Sequence, residues 1–254
     1  MELGYLERQI EEYVKSSPLN EVKEINLGGI FDAPLIGIAD SRDPLFDNLK
    51  NIEVIGPHHL TPNDWLNEAK SVISYFLPFS ETIRKANRDD GLPAREWVYG
   101  RIEGEALNTQ LRKFVVSLIN DVGGAALAPV LDQRFSVVDR RSNWSERHVA
   151  YIAGLGTFGL SKSFITQKGC AGRIGSIVTN LRLTPTSREY SSIYDYCTMC
   201  GECIARCSSE AITMEGKHIP TCANYINNQV LPLFTPRYGC GKCQTAVPCE
   251  YERP

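Results

Sequence analysis

The sequence predicts an α/β (α+β) core over residues 1–190 and a small cysteine-rich domain over residues 191–254. Three observations predict it. Amphipathic and apolar segments alternate through the first part, as a layered unit of helices on a sheet requires. The composition changes near residue 190. Eight of the nine cysteines fall in the last 58 residues, against one, Cys170, in the preceding 196.

The elements follow in order. Leu3, Leu6, Ile10, Tyr13 and Val14 share one face at helical spacing, which predicts a docking helix over 3–16. Residues 33–40 and 71–79 read as short buried strands, with Pro44, Pro57 and Pro62 marking the loops between them. Residues 85–104 are polar and charged; a helix then runs to Gly123. Residues 125–130 and 176–183 read as further strands. Asn143, with Glu146 three residues on, resembles a capping box that opens a helix over 143–153. There is no internal repeat and no low-complexity segment.

A net charge of −3 gives no general basic field, which argues against nucleic acid as a partner. The N-terminus has no basic start followed by an apolar stretch and no twin arginine, so no export signal is read there. No apolar run approaches the ~20 residues of a membrane span. The expectation is a cytoplasmic protein whose thiols stay reduced and available to metal.

The cysteines carry the sharpest signal. Cys197, Cys200, Cys203 and Cys207 are spaced C-x2-C-x2-C-x3-C, the run that wraps a [4Fe–4S] cube with three thiolates and lends the fourth to a second cube. Zinc would favour two separate C-x2-C knuckles, and disulfides an oxidising compartment. Cys222, Cys240, Cys243 and Cys249 complete eight thiols, the number that two cubes require. The crossover rule gives cluster A to Cys197, Cys200, Cys203 and Cys249, and cluster B to Cys207, Cys222, Cys240 and Cys243. Ser208 stands where a proline usually follows the run, and Cys243 and Cys249 are further apart than usual. Cys170 reads as an ordinary buried thiol.

Gly154, Gly156 and Gly159 match G-x-G-x-x-G. A dinucleotide fingerprint must follow a strand and precede an acid about 20 residues on. Here a helix precedes, and residues 178–180 are Val, Thr and Asn. Two readings stay open: a tight turn after a helix, or a backbone that approaches a bulky cofactor closely.

The segment from Glu146-Arg147 through Ala150, Ala153, Gly154, Leu155, Gly156 and Gly159, followed by this order of cysteines, resembles the epoxyqueuosine reductases and the related reductive dehalogenases. The likeness runs from about residue 70 to the end. It implies a cobalamin-binding core followed by a ferredoxin-like domain with two [4Fe–4S] clusters. It further implies base-off cobalamin, Co(I) as the reductant, and a low-potential donor such as ferredoxin or flavodoxin. It places Gly154, Gly156, Gly159, Gly175, Ser176, Asn224 and Tyr225 near the corrinoid, and Asp139 as the acid that protonates the departing group. The sequence departs from the pattern at three places. One extra residue separates Asp139 from Glu146. Arg140, Arg141 and Ser142 replace the family's serine and proline. Leu160 stands where a lysine is usual, with Lys162 two residues on. The family's helical-repeat extension, which helps to hold transfer RNA, has no counterpart before Pro254.

The reading is therefore a cobalamin-dependent iron–sulfur reductase acting on a small or otherwise different substrate. Its alternatives are an electron-transfer iron–sulfur protein, a corrinoid reductive activator without its own cobalamin, and a truncated epoxyqueuosine reductase acting on tRNA.

Overall fold

The computed structural model describes residues 3–254. Helix α1 (Leu3–Ser16) buries Leu6, Ile10 and Val14, the face its sequence spacing predicts. Strands β1 (Leu35–Asp40) and β2 (Ser71–Pro78) pair antiparallel. Helix α2 (Arg95–Asp121) follows, then the short strand β3 (Ala126–Leu127). A two-residue hairpin joins β4 (Val137–Val138) to β5 (Arg141–Ser142). Helix α3 (Glu146–Ile152), strands β6 (Gly156–Phe158) and β7 (Phe164–Thr166), and the long strand β8 (Gly172–Thr179) complete the core.

The main sheet has the order β1-β2-β8-β3, antiparallel throughout. The mixed α/β expectation holds, and within it the sheet is of the α+β kind. Strand β2 is buried over its whole length, as a central strand must be. Its side chains alternate between two apolar layers. Ile73, Tyr75 and Leu77 meet Leu107, Leu111 and Val115 of α2 and the buried face of α1. Val72 faces the opposite layer, where Phe46, Trp65, Trp144 and Val149 gather.

Three element expectations need correction. The strand expected over 176–183 runs instead over Gly172–Thr179. Helix α2 begins at Arg95, about ten residues before the amphipathic stripe becomes visible. Its first turns bury Trp97, Val98, Gly100 and Gly104. Gly104 lies so close to the Phe31 ring that a Cβ would sit 2.7 Å from it. A stripe made partly of glycine does not register as apolar. The strand expected over 125–130 shrinks to two residues before a 3-10 turn at Pro129–Leu131, because proline cannot donate to the ladder.

The cysteine-rich part carries a small hairpin, β9 (Ile212–Thr213) with β10 (Gly216–Lys217), and helix α4 (Ile219–Tyr225), which continues through a π-helical turn at Ile226–Val230. Buried polar ties dock this part on the core. Glu250, 1% exposed, pairs with Arg88 at 2.8 Å and Arg84 at 3.5 Å. The Lys242 ammonium donates to the carbonyls of Asn87 and Asp89. No helix of the described residues is long and apolar enough to cross a membrane.

Candidate active site

Two concavities collect the eight clustered thiols. Cys197, Cys200, Cys203 and Cys249 line the smaller one, together with Gly159, Ile165 and Val247. Cys207, Cys222, Cys240 and Cys243 line the other, a larger cavity of about 250 Å³. All nine cysteines are free. Among the described residues, no three Cys, His, Asp or Glu side chains converge as a single metal ion would require.

Local sequence shapes these loops. Gly201, at φ 80°, starts the helical turn Glu202–Ala205 between Cys200 and Cys207. Gly241, at φ 70°, lies flat on Trp97 of α2, where an added Cβ would fall 1.9 Å from the indole. The Cys240–Cys243 loop therefore rests directly on the core. Asn87 donates to the Cys240 carbonyl at 3.2 Å and to the Thr245 hydroxyl at 3.2 Å.

Crowding sets the thiol chemistry. Burial, then neighbouring cysteines, push the Cys203 thiol up to about 12. Burial pushes Cys240 to about 11. Burial also raises Cys243, against the nearby Lys217 ammonium, whose Nζ lies 3.7 Å from its sulfur. Cys207 behaves differently: burial opposes ionisation, but hydrogen bonds from Ser209 and the Ala211 amide outweigh it and hold the thiol below its usual value. Thiols gathered in this way ionise together only when positive charge binds among them. Four such donors around a hollow suit a multi-iron cluster.

The larger concavity runs between the core and the cysteine-rich part. Phe79 and Trp97 wall it on one side, and Ile219 and Tyr225 on the other. The sequence-predicted contacts divide. Tyr225 lines this cavity and Gly159 lines the smaller one. Asn224 is exposed and accepts from the Asn228 amide. Gly154, Gly156, Gly175 and Ser176 line neither cavity. The close approaches at these glycines are internal: to the Ser187 carbonyl, to the Ile165 carbonyl at 1.9 Å from a Cβ built on Gly156, and to the Tyr75 ring. Ser176 is fully buried, accepts from Trp144 Nε1 at 2.9 Å and donates to Glu146 at 2.5 Å.

The capping box is also corrected. The Asn143 side chain bonds Ser136 and Arg134 across the hairpin base, and Ser145 occupies the N-cap position. Glu146 turns inward to Ser176 and to Arg112, whose Nη2 lies 3.3 Å away. Burial pushes its carboxyl up to about 7, with Arg112 opposing. Arg112 was not foreseen, yet a signal existed: Asn108 and Arg112 interrupt the Leu107-Leu111-Val115 stripe, and polar groups on a buried face need partners.

Asp139 sits at the tip of the β4–β5 hairpin, exposed and without a side-chain partner among the described residues. Both turn residues, Asp139 at φ 48° and Arg140 at φ 64°, are left-handed, the primed turn that suits a hairpin; aspartate tolerates this conformation and arginine is disfavoured in it. Arg140 donates to the Ile219 carbonyl at 3.3 Å. The tip thus reaches the rim of the larger cavity, which Ile219 lines.

No protein-family model matches the chain, and no curated protein matches it. Solved structures do. An epoxyqueuosine reductase from Streptococcus thermophilus matches all of this chain and 68% of its own, at 17% identity and a TM-score of 0.54. An epoxyqueuosine reductase bound to an epoxyqueuosine-modified tRNA-Tyr stem loop matches 97% of this chain at 19% identity and a TM-score of 0.53. The chain spans 66% of that enzyme's length. In the Bacillus subtilis enzyme, similar at a TM-score of 0.52, the catalytic aspartate loop is swung out of the active site. A catabolic reductive dehalogenase matches 86% of this chain and 30% of its own, at 15% identity and a TM-score of 0.56. The chain has the fold that epoxyqueuosine reductases and reductive dehalogenases share.

Proposed function

We propose that the chain is an oxidoreductase of the corrinoid iron–sulfur type, with two [4Fe–4S] clusters and a corrinoid held base-off. The observation that carries the reading is the division of eight thiols into two sets of four, each around its own hollow, on a fold shared with such reductases. Cys197, Cys200, Cys203 and Cys249 would hold the first cluster. Cys200 is exposed, so this cluster would face a low-potential donor such as ferredoxin or flavodoxin. Cys207, Cys222, Cys240 and Cys243 would hold the second, beside the cavity that Trp97, Phe79 and Tyr225 wall with apolar surface. When bound there, a corrinoid would supply a strongly reducing centre for reductive cleavage. The domains would divide near residue 190, with the ferredoxin-like part over 191–254.

The residues of the chain would do the rest. The apolar walls exclude water, which strengthens every charge interaction inside. Asp139 would donate the proton to the departing group, a role typically worth 10²–10⁴-fold. The hairpin must then fold inward from its position at the rim. The left-handed turn at Arg140 suits such a movement, as does the swung-out loop of the Bacillus subtilis enzyme; Arg141, which donates to the Ile52 and Ile55 carbonyls at 2.9 Å, anchors the hairpin's second strand.

Anaerobic reconstitution tests the reading. The expected result is about eight irons per chain, as two cubes require, and a base-off EPR spectrum on titration with cob(II)alamin. Two intact clusters with no corrinoid binding at micromolar protein would favour an electron carrier.

A further inference from the structure

The larger cavity is lined by Arg101, Arg147, Lys162, Arg173, Lys217 and Lys242, and by no Asp or Glu. In a chain of net charge −3 this is a local choice. Four of the six cations have work inside the protein. Lys242 donates to two carbonyls, and Lys217 faces the Cys243 sulfur. Arg173 reaches Glu105 at 3.5 Å and the Arg101 carbonyl at 2.5 Å. Arg101 lies 4.1 Å over the Tyr238 ring and donates to that residue's carbonyl. Arg147 and Lys162 differ: among the described residues, neither side chain has a hydrogen-bond or ion-pair partner.

Their placement is built. Arg147 projects from α3. Lys162 sits in the β6–β7 loop at φ 59°, a conformation disfavoured for lysine. The bonds from Lys162 N to the Gly159 carbonyl and from Gly159 N to the Ser163 carbonyl, both 2.8 Å, hold it there. Arg147 is solvent-exposed at the cavity; the Cys243 sulfur favours its positive charge and Arg101 opposes it, and no carboxylate pairs with it among the described residues. Free cations in a concave site with low-dielectric walls focus potential on an incoming anion.

We propose that Arg147 and Lys162, backed by Arg101 and Arg173, form a subsite for a small-molecule anion of the phosphate-ester class, which would be the substrate or its recognition handle. The inference rests on the cavity being the reaction site proposed above. A small molecule is favoured over a nucleic-acid strand because the cations line one concavity from separate elements and are not strung along a single helix or strand. The phosphate could come from a separate substrate or from the nucleotide tail of a corrinoid, and the test separates the two.

The probe is inorganic pyrophosphate, titrated calorimetrically into cluster-reconstituted protein at low and at physiological salt. One site is expected, weakening as salt rises. Arg147→Gln and Lys162→Gln should each weaken it about tenfold or more, the worth of a hydrogen bond to a charged group. Lys113→Gln, on the exposed side of α2, should not. Iron content and circular dichroism check that each variant is folded. Cobalamin added first should leave pyrophosphate binding intact. Loss of pyrophosphate binding on adding cobalamin would assign the cations to the corrinoid tail and overturn the substrate subsite. So would wild-type affinity in both Gln variants, absence of binding at low salt, or displacement of pyrophosphate by an RNA stem loop at lower concentration. Pyrophosphate binding without any base-off EPR signal would support the subsite while refuting the corrinoid reading, so the two failures are distinct.

Discussion

Glu146→Gln should change the pH dependence of stability by an amount that the structure fixes. Burial holds the Glu146 carboxyl at about 7 in the folded chain, against an ordinary value of 4.5. Its folded pKa is raised, so the stability it contributes is full below pH 4.5 and is lost as pH rises through 7. Over that window the unfolded chain releases the proton while the folded chain keeps it. At about 1.4 kcal/mol per pH unit, the wild type loses about 3 kcal/mol between pH 4.5 and pH 8. Glutamine does not titrate and does not lose it. The variant should therefore gain about 3 kcal/mol relative to wild type across the window, whatever its absolute cost at pH 5. Urea unfolding of both proteins in parallel, reduced and anaerobic, reads the difference by linear extrapolation, and other titrating groups cancel. A stability difference that stays constant from pH 5 to pH 8 would mean that Glu146 ionises like an exposed carboxylate, and burial as the dominant influence on it would be refuted.

Cys200→Ser and Cys240→Ser should each halve the iron content, from about eight to about four per chain, and EPR of the reduced variants should show different clusters remaining; loss of all iron from both would show that the two sets of thiols are not independent. Gly241→Ala forces a Cβ into the Trp97 ring at a positive φ and should cost about 1–3 kcal/mol and weaken retention of the second cluster; an unchanged unfolding midpoint and iron content would refute that packing argument. Leu111→Ala, in the layer between α2 and β2, should cost about 2–5 kcal/mol by urea unfolding. Asp139→Asn should leave iron content and corrinoid affinity unchanged while slowing turnover about 10²–10⁴-fold; full turnover in the variant would remove Asp139 from the reaction.

The legible features were those set by short-range rules. The face of α1 and strands β1 and β2 each depend on spacing within about a dozen residues, and each was readable. The corrections share another cause. Gly154 and Gly156 look like a cofactor cradle because close backbone approach has one sequence signature, whatever approaches. In this fold it is Ser187 and the strand carrying Ile165. Asn143 and Glu146 have capping spacing, but β8 presents Ser176 and α2 presents Arg112 to the same carboxyl, and tertiary partners outweigh a local cap. The six cations of the larger cavity are spread along the chain from Arg101 to Lys242, so no short window of sequence could reveal their convergence.

Glu146 and Arg147 show why this short helix matters. Neighbours on an α-helix point about 100° apart, so a helix lying between the sheet and the cavity can send one residue each way. Glu146 goes inward, to Ser176 on β8 and Arg112 on α2, and fixes the rotation of α3. Val149 and Ile152 reinforce that rotation with apolar contacts. Once it is fixed, Arg147 faces the cavity without a partner of its own. The buried carboxyl is thus a positioning group for the guanidinium. If the helix rotated when Glu146 lost Arg112, Arg147 would leave the cavity, so Arg112→Met should weaken pyrophosphate binding although Arg112 does not line the site. Binding equal to wild type in a folded Arg112→Met protein would show that the apolar contacts alone hold α3 in register.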